Sequence, residues 1–240
     1  MSYDLTLLEK GCEQLGLTVN EQQKKQFVQF YEYLVEKNKV MNLTGITEFE
    51  EVLTKHFVDS LACVKALDLN GRKSVIDIGT GAGFPGVPLK IMFPEVAFTL
   101  LDSLKKRVNF LEETFALTGL SKIEAIHGRA EEYARNKNYR EKFDVCVSRA
   151  VSNLATLSEY CLPYVKKGGF FISYKSGKIQ EETEAAEKAV KILGGQIKDV
   201  IYFTLPDSEI ERSLVVIEKI KNTPPKYPRK AGTPAKEPLS

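Results

Sequence analysis

Two hydrophobic rhythms run along the chain, and they change over near residue 70. Before it, apolar residues recur every three or four positions. Phe27, Phe30, Tyr31 and Leu34 share one face of a predicted helix, and Asn20 followed by Gln23 has the spacing of a capping box at its start. Thr47 followed by Glu50 predicts a second capped helix carrying Val52, Leu53, Phe57, Leu61 and Val64. Asn42-Leu43-Thr44-Gly45 reads as the break between them. From residue 74 short apolar runs take over, at 74–78, 97–102, 122–127, 143–148 and 168–175. Helical patterns at 85–93, 103–118, 151–165 and 178–193 alternate with them. That alternation predicts a parallel sheet with helices on both faces. The runs 196–206 and 212–220 are joined by a loop too short for a helical crossover, so they predict an antiparallel hairpin. The expected architecture is α/β with a seven-stranded sheet: an N-terminal helical segment (1–70), a main domain (71–220) and a tail (221–240).

Composition narrows the class. A chain of 240 residues, 43% hydrophobic, is long enough for a sizeable core. No stretch approaches the roughly 18 uninterrupted apolar residues of a membrane span. The start, MSYDLTLLEKGCEQ, lacks the basic residues and apolar run of a secretory signal. A cytoplasmic protein with no membrane association is expected. Cys12, Cys63, Cys146 and Cys161 form no CxxC pair, which points away from zinc and redox motifs and toward reduced thiols. His56 and Asp59 sit three apart on one helix face with no third ligand in view, so a packed, hydrogen-bonded pair is expected there rather than a metal. Net charge is only +2, but the tail is rich in Lys, Arg and Pro and carries one acidic residue, Glu237. It reads as an extended basic arm with no core of its own.

Residues 75–88, VIDIGTGAGFPGVP, follow the first predicted strand. A triphosphate loop is excluded, because Val87-Pro88 stands where Lys and Ser/Thr are needed. Gly81, Gly83 and Gly86 satisfy GxGxxG, and Asp102 ends the next strand as a ribose partner would. A dinucleotide is nonetheless disfavoured. Asp77 precedes the glycines, where a carboxylate would face a pyrophosphate, and a single antiparallel strand is unusual in a NAD-binding sheet. S-adenosylmethionine suits the pattern better. Asp77 can balance its ammonium, Gly79, Gly81 and Gly83 let the backbone pass beneath its methionine part, and Asp102 can accept from both ribose hydroxyls. The expected class is a Rossmann-like, class I S-adenosylmethionine-dependent methyltransferase. The residues alone leave the substrate open between nucleic acid and a small molecule, with an NAD-dependent oxidoreductase or a non-enzymatic RNA-binding protein further behind.

Several motifs narrow this further: Asn42-Leu43-Thr44, His56-Phe57 with Asp59-Ser60-Leu61, Gly83-Phe84-Pro85-Gly86, Arg129-Ala130-Glu131, Ser148-Arg149-Ala150, and Tyr227-Pro228-Arg229-Lys230 with Thr233-Pro234. On these the chain resembles, over essentially its whole length, the bacterial small-subunit ribosomal RNA guanine-N7 methyltransferase G family, also called glucose-inhibited division protein B. The resemblance implies methylation of a guanine in 16S rRNA, guanine-527 of the decoding region. It also implies a cofactor site that includes Gly79, Phe84, Asp102, Ala130, Glu131 and Arg149. The expected partner is 16S rRNA or the small ribosomal subunit, and the chain is expected to act as a monomer.

The chemistry agrees with that implication. The Asn/Asp-Pro-Pro-aromatic motif common among exocyclic-amine methyltransferases is replaced by Ser148-Arg149-Ala150-Val151. Carbon-5 pyrimidine chemistry needs a thiolate, whereas Cys146 falls in a strand and Cys161 on a core-like helix face. Guanine N7 has a free lone pair and no proton to lose, so alignment is the main requirement and no catalytic residue is assigned. Candidate RNA contacts are Lys105, Lys106, Arg107, Lys175, Lys178 and the basic residues of the tail.

Overall fold

The computed structural model describes residues 3–149 and 152–239. Ala150 and Val151 of the sequence motifs therefore lie outside the described residues. The N-terminal layer contains α1 (Thr6–Gln14), α2 (Glu21–Met41) and α3 (Phe49–Val52). A π-helical turn (Leu53–Val58), α4 (Asp59–Leu61) and a 3-10 turn (Ala62–Lys65) continue it. Then come β1 (Ser74–Ile78), α5 (Gly86–Met92), β2 (Ala97–Asp102), α6 (Lys105–Thr118), β3 (Ile123–His127), α7 (Ala130–Tyr133) and β4 (Phe143–Arg149). The chain continues through α8 (Leu154–Cys161), β5 (Val165–Ser176), α9 (Gln180–Ile192), β6 (Gly195–Thr204), β7 (Glu211–Lys219) and α10 (Thr233–Lys236).

The sheet order is β3-β2-β1-β4-β5-β7-β6, and β7 runs antiparallel to both neighbours while the other strands are parallel. The predicted seven strands and single reversed strand are present. Strand order switches direction between β1 and β4, where open α/β sheets place ligands outside the carboxyl ends of their strands. Alternate side chains feed two cores. Val75, Val145, Val147, Leu214 and Val216 face one side, and Ile76, Ile78, Cys146, Val215 and Ile217 the other.

The helical layer belongs to the first of these cores. Asn20 and Gln23 form both halves of the capping box, and Phe27, Phe30 and Leu34 are fully buried. Gln23 Nε2 donates to the carbonyl of Ile91 (3.0 Å) and Gln26 Nε2 to that of Thr118 (2.9 Å), so α2 is tied to the ends of α5 and α6. The second predicted cap is not used. Its helix starts at Phe49 with Glu48 at the cap position and no side-chain hydrogen bond, and the Thr47 carbonyl accepts from Tyr31 Oη instead. Among the described residues no helix is long and apolar enough to cross a membrane.

The tail is anchored at several of its described residues rather than free as a basic arm. Tyr227 is buried in the second core, and Arg229 pairs with Glu159, whose carboxylate is fully buried.

Candidate active site

The glycine loop is shaped by its surroundings. The amides of Gly79 and Thr80 both donate to the Leu101 carbonyl (2.9 and 3.2 Å), which pins the loop to the end of β2. Gly83 has φ +94°, and a Cβ there would sit 2.6 Å from Val87 Cγ2. A Cβ at Gly86 would meet Asp77 Oδ2 and Leu100 Cδ1 at 2.9 Å each. A side chain at either position would displace these neighbours, and at Gly83 the backbone conformation itself favours glycine.

Asp77 serves the loop from inside. It is fully buried, and Oδ2 accepts from Thr80 Oγ1 (2.7 Å) and from the Gly86 amide (2.9 Å). Its Oδ1 is buried without a partner. Burial pushes its pKa up to about 7, against the pull of those two hydrogen bonds and of Arg149.

A cavity of about 400 Å³ opens at the carboxyl ends of β1, β2 and β3. Gly79, Asp102, Ala130 and Glu131 line it, together with Arg129 and Tyr160. Asp102 Oδ1 accepts from the Leu104 amide and Oδ2 from the Gly81 amide (2.9 Å each), while Arg107 Nη1 lies 3.4 Å from Oδ2. Oδ1, with the Leu104 amide as its one partner, keeps a lone pair beyond these contacts, whereas Oδ2 is occupied by the Gly81 amide and Arg107. Glu131 is nearly buried, and its Oε1 accepts from the Gly232 amide (2.8 Å).

Arg149 lies elsewhere, at the end of β4. It lines a second cavity of about 380 Å³ with Lys55, His56, Asp59, Tyr174 and Arg212. Asp59 is the hub. Its Oδ2 accepts from Arg149 Nη1 (2.8 Å) and its Oδ1 from Arg212 Nε (3.0 Å). The Arg149 guanidinium lies 5.1 Å from the centre of the Phe84 ring, and His56 stacks on the same ring at 4.5 Å. Phe84 thus backs the second cavity. His56 and Asp59 do not bond each other as the spacing suggested. His56 Nε2 lies 2.7 Å from Thr44 Oγ1 and Nδ1 lies 3.2 Å from the Lys55 carbonyl, which assigns the proton to Nδ1 and the acceptor role to Nε2. Burial, with the Arg149 charge behind it, pushes the His56 pKa down to about 4, so the ring is neutral at pH 7. Ser148 Oγ donates to the Ile78 carbonyl (2.7 Å) and joins the two strand ends that carry the cavities.

Two further candidates resolve simply. Cys146 and Cys161 are fully buried, and burial pushes the Cys146 thiol up, away from the thiolate. Among the described residues no group of His, Cys, Asp and Glu is arranged to hold a metal.

An order switch between β1 and β4, a glycine loop braced by an acid, a second acid ending β2 and one reversed strand define a class I methyltransferase that uses S-adenosylmethionine. The residues fit that cofactor. Asp102 keeps acceptor capacity toward the cavity, and the unpartnered Oδ1 of Asp77 is an acceptor behind the loop. Fold comparison agrees. TrmN from Thermus thermophilus matches with TM-score 0.51 at 16% identity, covering 70% of this chain and 53% of that one. A putative transferase from Pyrococcus horikoshii matches with TM-score 0.51 at 13% identity, over 63% and 58%.

The family model for rRNA small subunit methyltransferase G matches residues 23–214. The protein of that name from Lachnoclostridium phytofermentans is 53% identical over 230 residues, covering 96% of this chain and 95% of its own. That from Alkaliphilus metalliredigens is 49% identical over 233 residues, covering 97% and 98%. The chain belongs to the rRNA small subunit methyltransferase G family.

Several site residues escape the sequence reading. Lys55, Tyr174 and Arg212 complete the second cavity, and Gly232 reaches the first. Arg212 had a usable signal: it opens the second run of the predicted hairpin, and the structure reverses that strand, which delivers its first residues to the edge where its neighbours end.

Proposed function

We propose that this protein methylates N7 of a guanine in small-subunit ribosomal RNA, with S-adenosylmethionine in the first cavity and the base in the second. The guanine named by the resemblance, 527 of the decoding region, is the proposed target. Bound there, the cofactor supplies an electrophilic methyl group on a sulfonium. The chain's own residues bind and align. Asp102 would accept from the ribose hydroxyls, the loop Gly79 to Gly83 would lie beneath the amino-acid part, braced from inside by the enclosed Asp77 rather than met by its carboxyl, and the small Ala130 side chain beside Glu131 would leave room for a flat ring.

One observation carries the choice of N7: the second cavity's acid and imidazole are both unavailable as proton acceptors. His56 is neutral with Nε2 already accepting from Thr44, and the Asp59 carboxylate is shared between Arg149 and Arg212. A hydroxyl or amine nucleophile has to shed a proton, whereas N7 attacks with a free lone pair. Arg149 and Arg212 outweigh Asp59 by one positive charge, which suits a polyanionic substrate. Of the candidates that follow Asp102, Arg107 lines the first cavity, while Lys106 Nζ donates to the Met41 carbonyl (3.3 Å). Lys175 is already held by Glu182 (2.6 Å) and the Ser152 carbonyl. Both cavities lie on one chain, which supports action as a monomer.

The test is mass mapping of 16S rRNA from cells lacking the gene. One N7-methylguanine should disappear and return on complementation. An unchanged modification map would overturn the proposal.

A further inference from the structure

The tail, which begins beyond the residues matched by the family model, reaches the first cavity. Gly232 and Ala235 stand in its lining opposite Asp102 and Ala130. The Gly232 amide donates to Glu131 Oε1 at 2.8 Å, so the acid beside the cavity is fixed by a residue 101 positions later in the chain. The segment does not rest there by this bond alone. Arg229 Nη2 bonds Glu159 Oε2 (2.7 Å) and its Nε lies 3.0 Å from Oε1, and that carboxylate is fully buried. Arg135 Nη2 donates to the Pro228 carbonyl (2.6 Å), and Thr156 Oγ1 to that of Pro234 (3.1 Å).

A buried carboxylate needs its partner, because an uncompensated charge in the interior is strongly unfavourable. Glu159 therefore holds Arg229, and Arg229 sets where the chain goes next. The left-handed turn at Gly232 (φ +84°) then points its amide at Glu131. Glu131 would otherwise present a free anion beside the space for the cofactor's base. With the amide in place the carboxylate is turned and satisfied, and the wall is ordered before any ligand arrives. Binding to a wall already ordered avoids the entropy of ordering it.

We propose that residues 231–236 are the fourth wall of the cofactor cavity and set cofactor affinity by positioning Glu131, so that the tail acts first on the cofactor and not as an arm for RNA. This rests on the first cavity being the cofactor site, and the experiment separates the two. The key variant ends after Lys230. It keeps Tyr227 and the pair of Arg229 with Glu159, and removes the wall together with the Glu237 carbonyl that accepts from Arg229 Nη2 and the Leu239 packing beyond it. Calorimetric titration with S-adenosylhomocysteine should give a Kd raised roughly tenfold. In initial-rate assays on the small subunit, KM for S-adenosylmethionine should rise in step, while kcat and KM for the RNA stay within about twofold. Ala235→Trp in the full chain, a change at an exposed residue, should fill the cavity from the same side and weaken binding comparably. It decides the matter should the truncated chain fail to fold.

Asp102→Asn is the control. If it leaves Kd unchanged, the first cavity is not the cofactor site. If it weakens binding while both the truncation and Ala235→Trp leave Kd unchanged, the wall is refuted. Loss of RNA affinity on truncation with cofactor Kd intact would make the tail an RNA arm, and would also overturn the proposal.

Discussion

The first cavity takes its polar groups from the ends of three successive strands, β1, β2 and β3, and fixes their carboxylates with backbone amides. The second takes Lys55 and Asp59 from the helical layer, Arg149 from β4 and Arg212 from β7, and fixes them by charge pairing between side chains 90 and 153 residues apart. The cavity proposed for the cofactor is thus built on backbone amides, one from the glycine motif, one just beyond Asp102 and one from the distant tail. The cavity proposed for the base is built from side chains that only the finished fold brings together. If that division is real, the two cavities should fail separately.

Arg149→Gln should give the largest effect. It leaves Asp59 with Arg212 alone and removes the cation over Phe84. Turnover on the small subunit should fall by roughly a hundredfold or more, as expected when positioning at a reacting centre is lost. Cofactor Kd should rise by less than about tenfold. An equal loss in both would show that Arg149 belongs to both ligands and would dissolve the distinction.

Gly83→Ala probes the other side. The added methyl is strained at φ +94° and collides with Val87, so stability should fall by about 2–4 kcal/mol in denaturant titration. Cofactor affinity should drop with it, while RNA binding by the folded fraction persists. A variant as stable as the parent would show that the loop yields easily and is not a fixed cradle.

The smallest effect is a pH dependence. The folded pKa of Asp77 is raised from its ordinary 3.8 to about 7, so the folded state keeps a proton that the unfolded state loses. Its contribution is present at low pH, fades as pH rises from about 4 to 7, and is flat above. His56 has the opposite sign. Its folded pKa is lowered from 6.5 to about 4, so its contribution is present above pH 6.5 and is lost as pH falls toward 4. The two slopes oppose each other in the parent. Asp77→Asn removes one of them. Relative to the parent, its stability should gain up to about 1 kcal/mol per pH unit between pH 5 and 7 and then level off. Parallel pH profiles for the two chains would mean that Asp77 is ionised in its cradle.

The same contrast explains what the residues reveal before folding. Strand positions and the reversed hairpin are legible because alternation and loop length are local properties. β1 and β2 fall on 74–78 and 97–102 as the apolar runs predict. Asp77 was legible as an acid in the motif, but its enclosure was not, because its partners Thr80 and Gly86 bond inward only once α5 packs over β1. Thr47 shows the converse: the spacing of a cap is present, but the helix begins two residues later. The tail's basic composition is plain, yet one arginine meeting one buried glutamate 70 residues away leaves no periodic trace.

The reversal of β7 has a separate consequence for how such an enzyme can change. Parallel strands deliver their ends to the ligand edge and must return through helices, so lengthening those loops disturbs packed crossovers. Because β7 runs backwards, residues 205–210 form a hairpin at that same edge, just ahead of Arg212. A surface hairpin tip is a place where insertion is tolerated. The cavity proposed for the base thus owns a bend that can grow or be exchanged to fit a differently folded RNA, while the cavity proposed for the methyl donor stays untouched.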